Sequence, residues 1–204
     1  MSVDAAASTT APPPKSPGPL SAEHQQQLAD AHRRAGKVMA ASKVAAFNGW
    51  TAAVLAAMTL PFALFGFSAL LISAALGLIA CNELRGRKLL RRFDPRGSRL
   101  LGFNQLGLLG MIIVYSVWRI WASLTGPNPY EAQIAATPQL EPLLGSVAEL
   151  HVTLTLLVYV SVIFFSIILQ GLTAWYYFSR LGHIRAYRAQ TPAWIVQQQL
   201  IPAA

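Results

Sequence analysis

Four apolar stretches, at roughly 44–61, 66–82, 101–122 and 150–178, decide what this chain can fold into. Each is near or above the ~17 residues a helix needs to cross a hydrocarbon core. Charged residues make up only 12% of the 204-residue sequence, about half the roughly 25% of a soluble domain. The predicted fold class is an all-α integral membrane protein with four transmembrane helices arranged as two hairpins. Only Pro61 to Gly66 separates the first two stretches, where proline removes a backbone donor and a tight turn fits. One helix over 44–82 would run about 58 Å at ~1.5 Å per residue, far beyond a ~30 Å core, so two spans are predicted there.

The sixteen basic residues divide cleanly and set the expected orientation. Five precede the first span, seven lie between the second and third (Arg85, Arg87, Lys88, Arg91, Arg92, Arg96, Arg99), and three follow the fourth. The sixteenth is Arg119, inside span three. The 61–66 turn and the 125–149 loop contain no Lys or Arg, and the loop carries Glu131, Glu141 and Glu149. Because loops rich in Lys and Arg stay on the cytoplasmic side, the expected location is the cell membrane, multi-pass, with both termini cytoplasmic. Residues 1–43 hold no apolar core of about 7–15 residues, so the first span is expected to act as its own insertion signal.

Residues 1–20 are mostly Ala, Ser, Thr and Pro, a composition expected to form a disordered tail. Ser21 is a predicted N-cap for a weakly amphipathic cytoplasmic helix over 21–42, with Leu28, Ala31, Ala35 and Val38 at helical spacing. The 43–178 segment is the expected bundle. Within the 179–204 tail, Thr191 followed by Pro192 reads as N-cap and first helical residue of a short helix. Around Glu83 to Phe93, Leu and Phe interleave with Arg85, Arg87, Lys88, Arg91 and Arg92. Such a helix can lie at the headgroups and contact anionic lipids, beyond its plain role in orientation. No nucleic-acid partner is expected, because no aromatic stacking pattern accompanies the charge.

Small residues recur every fourth position at Ala45, Gly49, Ala53 and Ala57, and again at Ala69, Ser73, Gly77 and Cys81. These ridges are expected to face each other within the first hairpin or to serve a homo-oligomer contact. Tyr115, Trp118, Trp121 and, at the opposite level, Trp175, Tyr176, Tyr177 read as aromatic belts. Arg119, with Glu149 or Glu141 as counter-ion and His151 near the same boundary, forms a candidate outer cluster; the plainer reading is a snorkelling anchor.

A second candidate is a polar layer. Ser42-Lys43-Val44-Ala45-Ala46-Phe47-Asn48 matches Ser98-Arg99-Leu100-Leu101-Gly102-Phe103-Asn104 at an offset of 56 residues. Either the two segments converge on one way into the membrane, with Ser as N-cap and a basic snorkel, or a two-span hairpin was duplicated about an axis along the membrane normal. The match sets Asn48 and Asn104 at equal depth, with Asn82, Gln105 and Gln170 at a similar level.

Catalytic chemistry finds little foothold. His151 and His183 sit roughly 48 Å apart along one helix, so they cannot share a haem iron. A single Cys excludes an intrachain disulfide, and neither a nucleophile elbow nor a phosphate loop is present. No enzyme activity, catalytic residue, metal or cofactor is therefore expected. The leading expectation is a non-enzymatic accessory or scaffold membrane protein within a larger complex. The alternative is a small transporter or lipid-binding protein that uses the amide layer.

Overall fold

The computed structural model describes residues 21–126 and 147–200. The expected 1–20 tail and the body of the 125–149 loop, with Glu131 and Glu141, lie outside the described residues. Five helices account for nearly all of the rest: α1 Ala22–Thr59, α2 Phe67–Arg91, α3 Pro95–Thr125, α4 Val147–Gln190 and the short α5 Ala193–Leu200. Four of them are long and apolar enough to cross a membrane, an architecture that fits a multi-pass membrane protein. Among the described residues there is no strand.

Each predicted span matches part of a longer helix to within a few residues, and most of the excess is at the end where the basic residues gather. α1 has 38 residues, about 57 Å of helix, and α4 has 44, about 66 Å, against a ~30 Å hydrocarbon core. The 21–42 segment is thus the first half of α1, continuous with span one, and residues 179–190 continue α4. Ser21 caps α1 as expected, its side chain accepting from the His24 amide at 3.2 Å.

α1 and α2 form one hairpin through a short 3-10 turn, Leu60–Leu64, that contains Pro61. Ser73 Oγ donates to the Ala56 carbonyl at 2.8 Å, and a β-carbon at Gly49 would lie only 3.0 Å from Leu84 Cδ2. On α1 the small-residue ridge holds at Ala45 and Gly49, which are buried. On α2 it does not: Ser73 is buried, Gly77 has open space beside it, and Cys81 is exposed. Four-residue steps rotate about 40° past a full turn each time, whereas a seven-residue step falls only about 20° short of two turns. The face toward α1 therefore runs from Ser73 to the buried Ala80, and Cys81 is carried off it.

The second hairpin pairs α3 with α4, and Phe178 packs so tightly over Gly102 that a β-carbon there would lie 2.5 Å from the ring. The hairpins are joined by Arg92-Phe93-Asp94 at the basic end. α2 ends in a Schellman motif, with the Phe93 amide bonding the Leu90 carbonyl at 2.9 Å and the Asp94 amide bonding the Leu89 carbonyl at 3.0 Å. Phe93 occupies the left-handed position at φ 52°, where an L side chain costs about 1–2 kcal/mol. Its ring stacks on Tyr187 at 3.9 Å between centroids, which offsets that cost. Asp94 Oδ1 then caps α3 by accepting from the Arg96 amide at 2.8 Å. Helix α3 therefore starts at Pro95, one turn earlier than a serine cap at Ser98 would allow, and Ser42 likewise sits inside α1 rather than at a cap.

The apolar core lies at this basic end. Ala31, Ala35, Val38, Ala41 and Ala45 of α1 pack with Leu90, Phe93, Leu101, Tyr177, Ile184, Tyr187 and Ile195. The 21–42 stripe is thus covered by protein rather than solvated. α5 closes over it, with Trp194 Nε1 donating to Gln27 Oε1 at 3.1 Å and its ring meeting His24 edge-on at 5.3 Å; beside it, Arg34 donates to the Gln190 carbonyl at the end of α4 at 2.7 Å. Thr191, predicted as the cap of α5, is buried with its hydroxyl unpartnered. The Pro192 carbonyl receives the first amides instead.

Candidate functional site

Helix periodicity brings at least one polar group from each long helix to a common point where the spans meet the basic end. Glu83 of α2 is at its centre, with a relative exposure of 0%. Its Oε1 accepts from Gln105 Nε2 at 2.7 Å and from Asn104 Nδ2 at 3.0 Å, both on α3. Its Oε2 accepts from the Tyr177 hydroxyl of α4 at 3.2 Å. Asn48 of α1 donates to that same hydroxyl at 3.3 Å, and Asn82 donates to Asn104 Oδ1 at 3.1 Å. Asn104 also reaches the Ile79 carbonyl at 3.1 Å, while Ser98 Oγ bonds the Tyr177 carbonyl.

Every donor aimed at Glu83 comes from the second hairpin, so the cluster is a cross-hairpin lock. Buried side-chain networks of this kind hold helices in one register, since shifting any member leaves the others without partners. Four of the five amides expected in the polar layer are present in it: Asn48, Asn82, Asn104 and Gln105. Gln170 is not; it is half-buried on α4, seven residues before Tyr177, about 10 Å further along the helix.

Glu83 and Tyr177 are the members that sequence patterns hid. Glu83 stands two residues before a basic run and reads as a boundary charge, and Tyr177 reads as part of an aromatic belt. Trp175 does face outward at 70% exposure, whereas Tyr177 is at 0%. The usable signal was the single acid at the end of an otherwise acid-free span, since such groups seek partners in the bundle.

At the outer candidate cluster, Arg119 is exposed and its Nε donates to the Tyr159 hydroxyl at 3.2 Å, with Tyr115 edge-on to Tyr159 at 6.2 Å. Tyr159 lies eight residues beyond His151, about 12 Å along α4. The phenol that Arg119 meets thus lies two turns deeper than the Glu149 and His151 level. Glu149 is exposed and His151 half-buried at the start of α4. Of the candidate lipid contacts, Arg85, Lys88, Arg91 and Arg92 are exposed and Arg87 half-buried, with Arg96 and Arg99 exposed beside them on α3. Among the described residues no group of three or more His, Cys, Asp or Glu is placed to hold a metal.

An open groove of about 410 Å³ runs beside the polar layer between α2 and α3, lined by residues that include Ala75, Leu78, Asn82, Phe103, Gly107 and Met111. Comparison with known protein families, curated proteins and solved structures finds no match.

Proposed function

We propose that the protein is a non-enzymatic accessory or scaffold subunit of the cell membrane, with its basic end and both termini in the cytoplasm. The observation that carries this reading is the uneven distribution of packing. Around Glu83 and inward, five helices lock together. Outward of that layer and of Gly49, Ala80 and Ala174, which pack within about one turn of it, Ser73 and Ser116 are the buried residues among those described, so the membrane-spanning halves present apolar faces to whatever surrounds them. A rigid base beneath open intramembrane faces suits a subunit that docks other membrane helices. Fifteen of sixteen Lys and Arg fall in segments assigned to one side, which supports the orientation.

Two features support duplication of a hairpin. Positions 41–50 and 97–106 share a burial pattern at the 56-residue offset: Ser42 and Ser98, and Ala45 and Leu101, are buried, while Phe47 and Phe103 are 71% and 65% exposed. Asn48 also reaches Tyr177 across to the second hairpin, as Asn104 reaches Glu83 across to the first. Such an exchange is what a two-fold axis along the membrane normal produces.

Purification of the tagged chain in mild detergent, combined with cysteine crosslinking from Val114 and Phe164, tests the scaffold role. A stoichiometric membrane partner crosslinked through those outward positions is expected. A chain that purifies alone and crosslinks to nothing in its native membrane contradicts it.

A further inference from the structure

We infer that the groove between α2 and α3 is a binding site for one anionic phospholipid, with an acyl chain along the groove and the headgroup at the arginines around its basic mouth. This rests on the orientation proposed above, which makes that mouth the cytoplasmic leaflet.

The groove has the composition and direction of an acyl-chain site. Its volume is about 410 Å³ and most of its lining is apolar. Along α2 it extends from Asn82 to Ala75, and along α3 from Leu100 to Met111, roughly 10 and 16 Å of helix respectively. It therefore follows the helix axes rather than crossing them, as a lipid tail does. It is also open along one side, so a chain can enter laterally from the bilayer.

Charge selects the occupant. Residues three and four apart share a helix face, so Arg85 continues the Leu78 and Asn82 face of α2 by one turn. Arg96 and Arg99 likewise continue the Leu100 and Phe103 face of α3. All three arginines are exposed, and Asn82 and Asn104 line the groove on the side nearest them. A phosphate carrying net negative charge finds three guanidiniums there and can take paired hydrogen bonds from them. A zwitterionic headgroup would bring its own cation into the same cluster and lose that advantage.

Gly107 makes the test clean, since it lines the groove and a β-carbon added there meets nothing within 4 Å. Gly107→Leu should fill the channel without displacing a helix. The full-length protein, delipidated in neutral detergent and offered equimolar phosphatidylglycerol and phosphatidylcholine, is read by native mass spectrometry. The wild type should retain one phosphatidylglycerol per chain. G107L should lower retention at least about tenfold, as excluding about two methylenes would. The R85Q/R99Q pair should keep a lipid but lose the preference between headgroups. Should G107L lower the melting temperature sharply, Ala75→Leu fills the opposite wall and carries the same expectation. Absence of retained lipid in the wild type, equal retention of both lipids, or unchanged retention in the filled variants overturns the site. Labelling of Lys88→Cys from the cell exterior would instead overturn the orientation, leaving chain retention in the groove intact.

Discussion

The two ends of the bundle use the same kinds of residue under different rules. At the basic end the α1 stripe of Ala31, Ala35 and Val38 is covered by protein, closed by α5 and anchored by the Phe93–Tyr187 stack. At the turn end Phe62, Leu64, Phe65 and Phe67 are all more than half exposed, and the contacts that hold Ser73 to Ala56 or Arg119 to Tyr159 stay within one hairpin. Where water reaches the helices, apolar surface must find other side chains. Within lipid it need not, because the solvent there is as apolar as leucine. The burden of fixing how the hairpins sit together therefore falls on the boundary between the two regimes, where Glu83 sits.

Breaking that boundary should have the largest effect. Glu83→Ala takes the acceptor from three buried donors, of which Asn104 keeps the Ile79 carbonyl; at about 1–3 kcal/mol for each donor left unmatched, thermal unfolding in detergent should show a loss on the order of 4 kcal/mol. Glu83→Gln, which keeps one accepting oxygen, should lose less than half of that. A Glu83→Ala protein that melts with the wild type would remove the lock from the account. Next comes Phe93→Ala, expected to cost about 3 kcal/mol through the lost buried ring. Phe93→Gly should be milder by about 1 kcal/mol, because glycine relieves the left-handed backbone; the reverse ranking would mean that the turn carries no strain.

A smaller change is expected at the cover. Ile195→Ala should cost about 2 kcal/mol and raise hydrogen exchange in residues 22–38 while leaving the outer spans unchanged. Exchange rising equally in both regions would erase the distinction between them. Smallest of all, Val114→Ala and Leu157→Ala, at exposed positions of the spans, should stay within about 0.5 kcal/mol of wild type for the purified chain in detergent.

Much of this comparison is legible in the chain itself. The four long apolar runs and the Pro61 turn announce helices and a hairpin without ambiguity, and the matched Asn48 and Asn104 announce a polar layer at one depth. The inner helix ends are harder to read, because Arg, Lys and Gln after an apolar run look solvated, although alternate positions such as Leu90 and Ile184 are fully buried. Glu83 is masked by Arg85, Arg87 and Lys88, and Tyr177 by Trp175 and Tyr176. In both cases the neighbours follow the interfacial pattern while one side chain, turned by 100° per residue, points into the bundle. Pro95 shows the same limit from the other side: only the tertiary cover over Phe93 permits the left-handed turn that starts α3 so early.

The most direct test measures distances across the hairpins at both levels with paired spin labels in a Cys81→Ser background. Lys88→Cys with Arg188→Cys reports the basic end, and Leu64→Cys with Leu124→Cys reports the far end. The inner pair should give a narrow distance distribution that broadens when Glu83→Ala is added, while the outer pair should be broad in both proteins. An outer distribution as narrow as the inner one, or an inner distribution indifferent to Glu83, would contradict the claim that the hairpins are locked together at the Glu83 layer and inward of it, and not beyond.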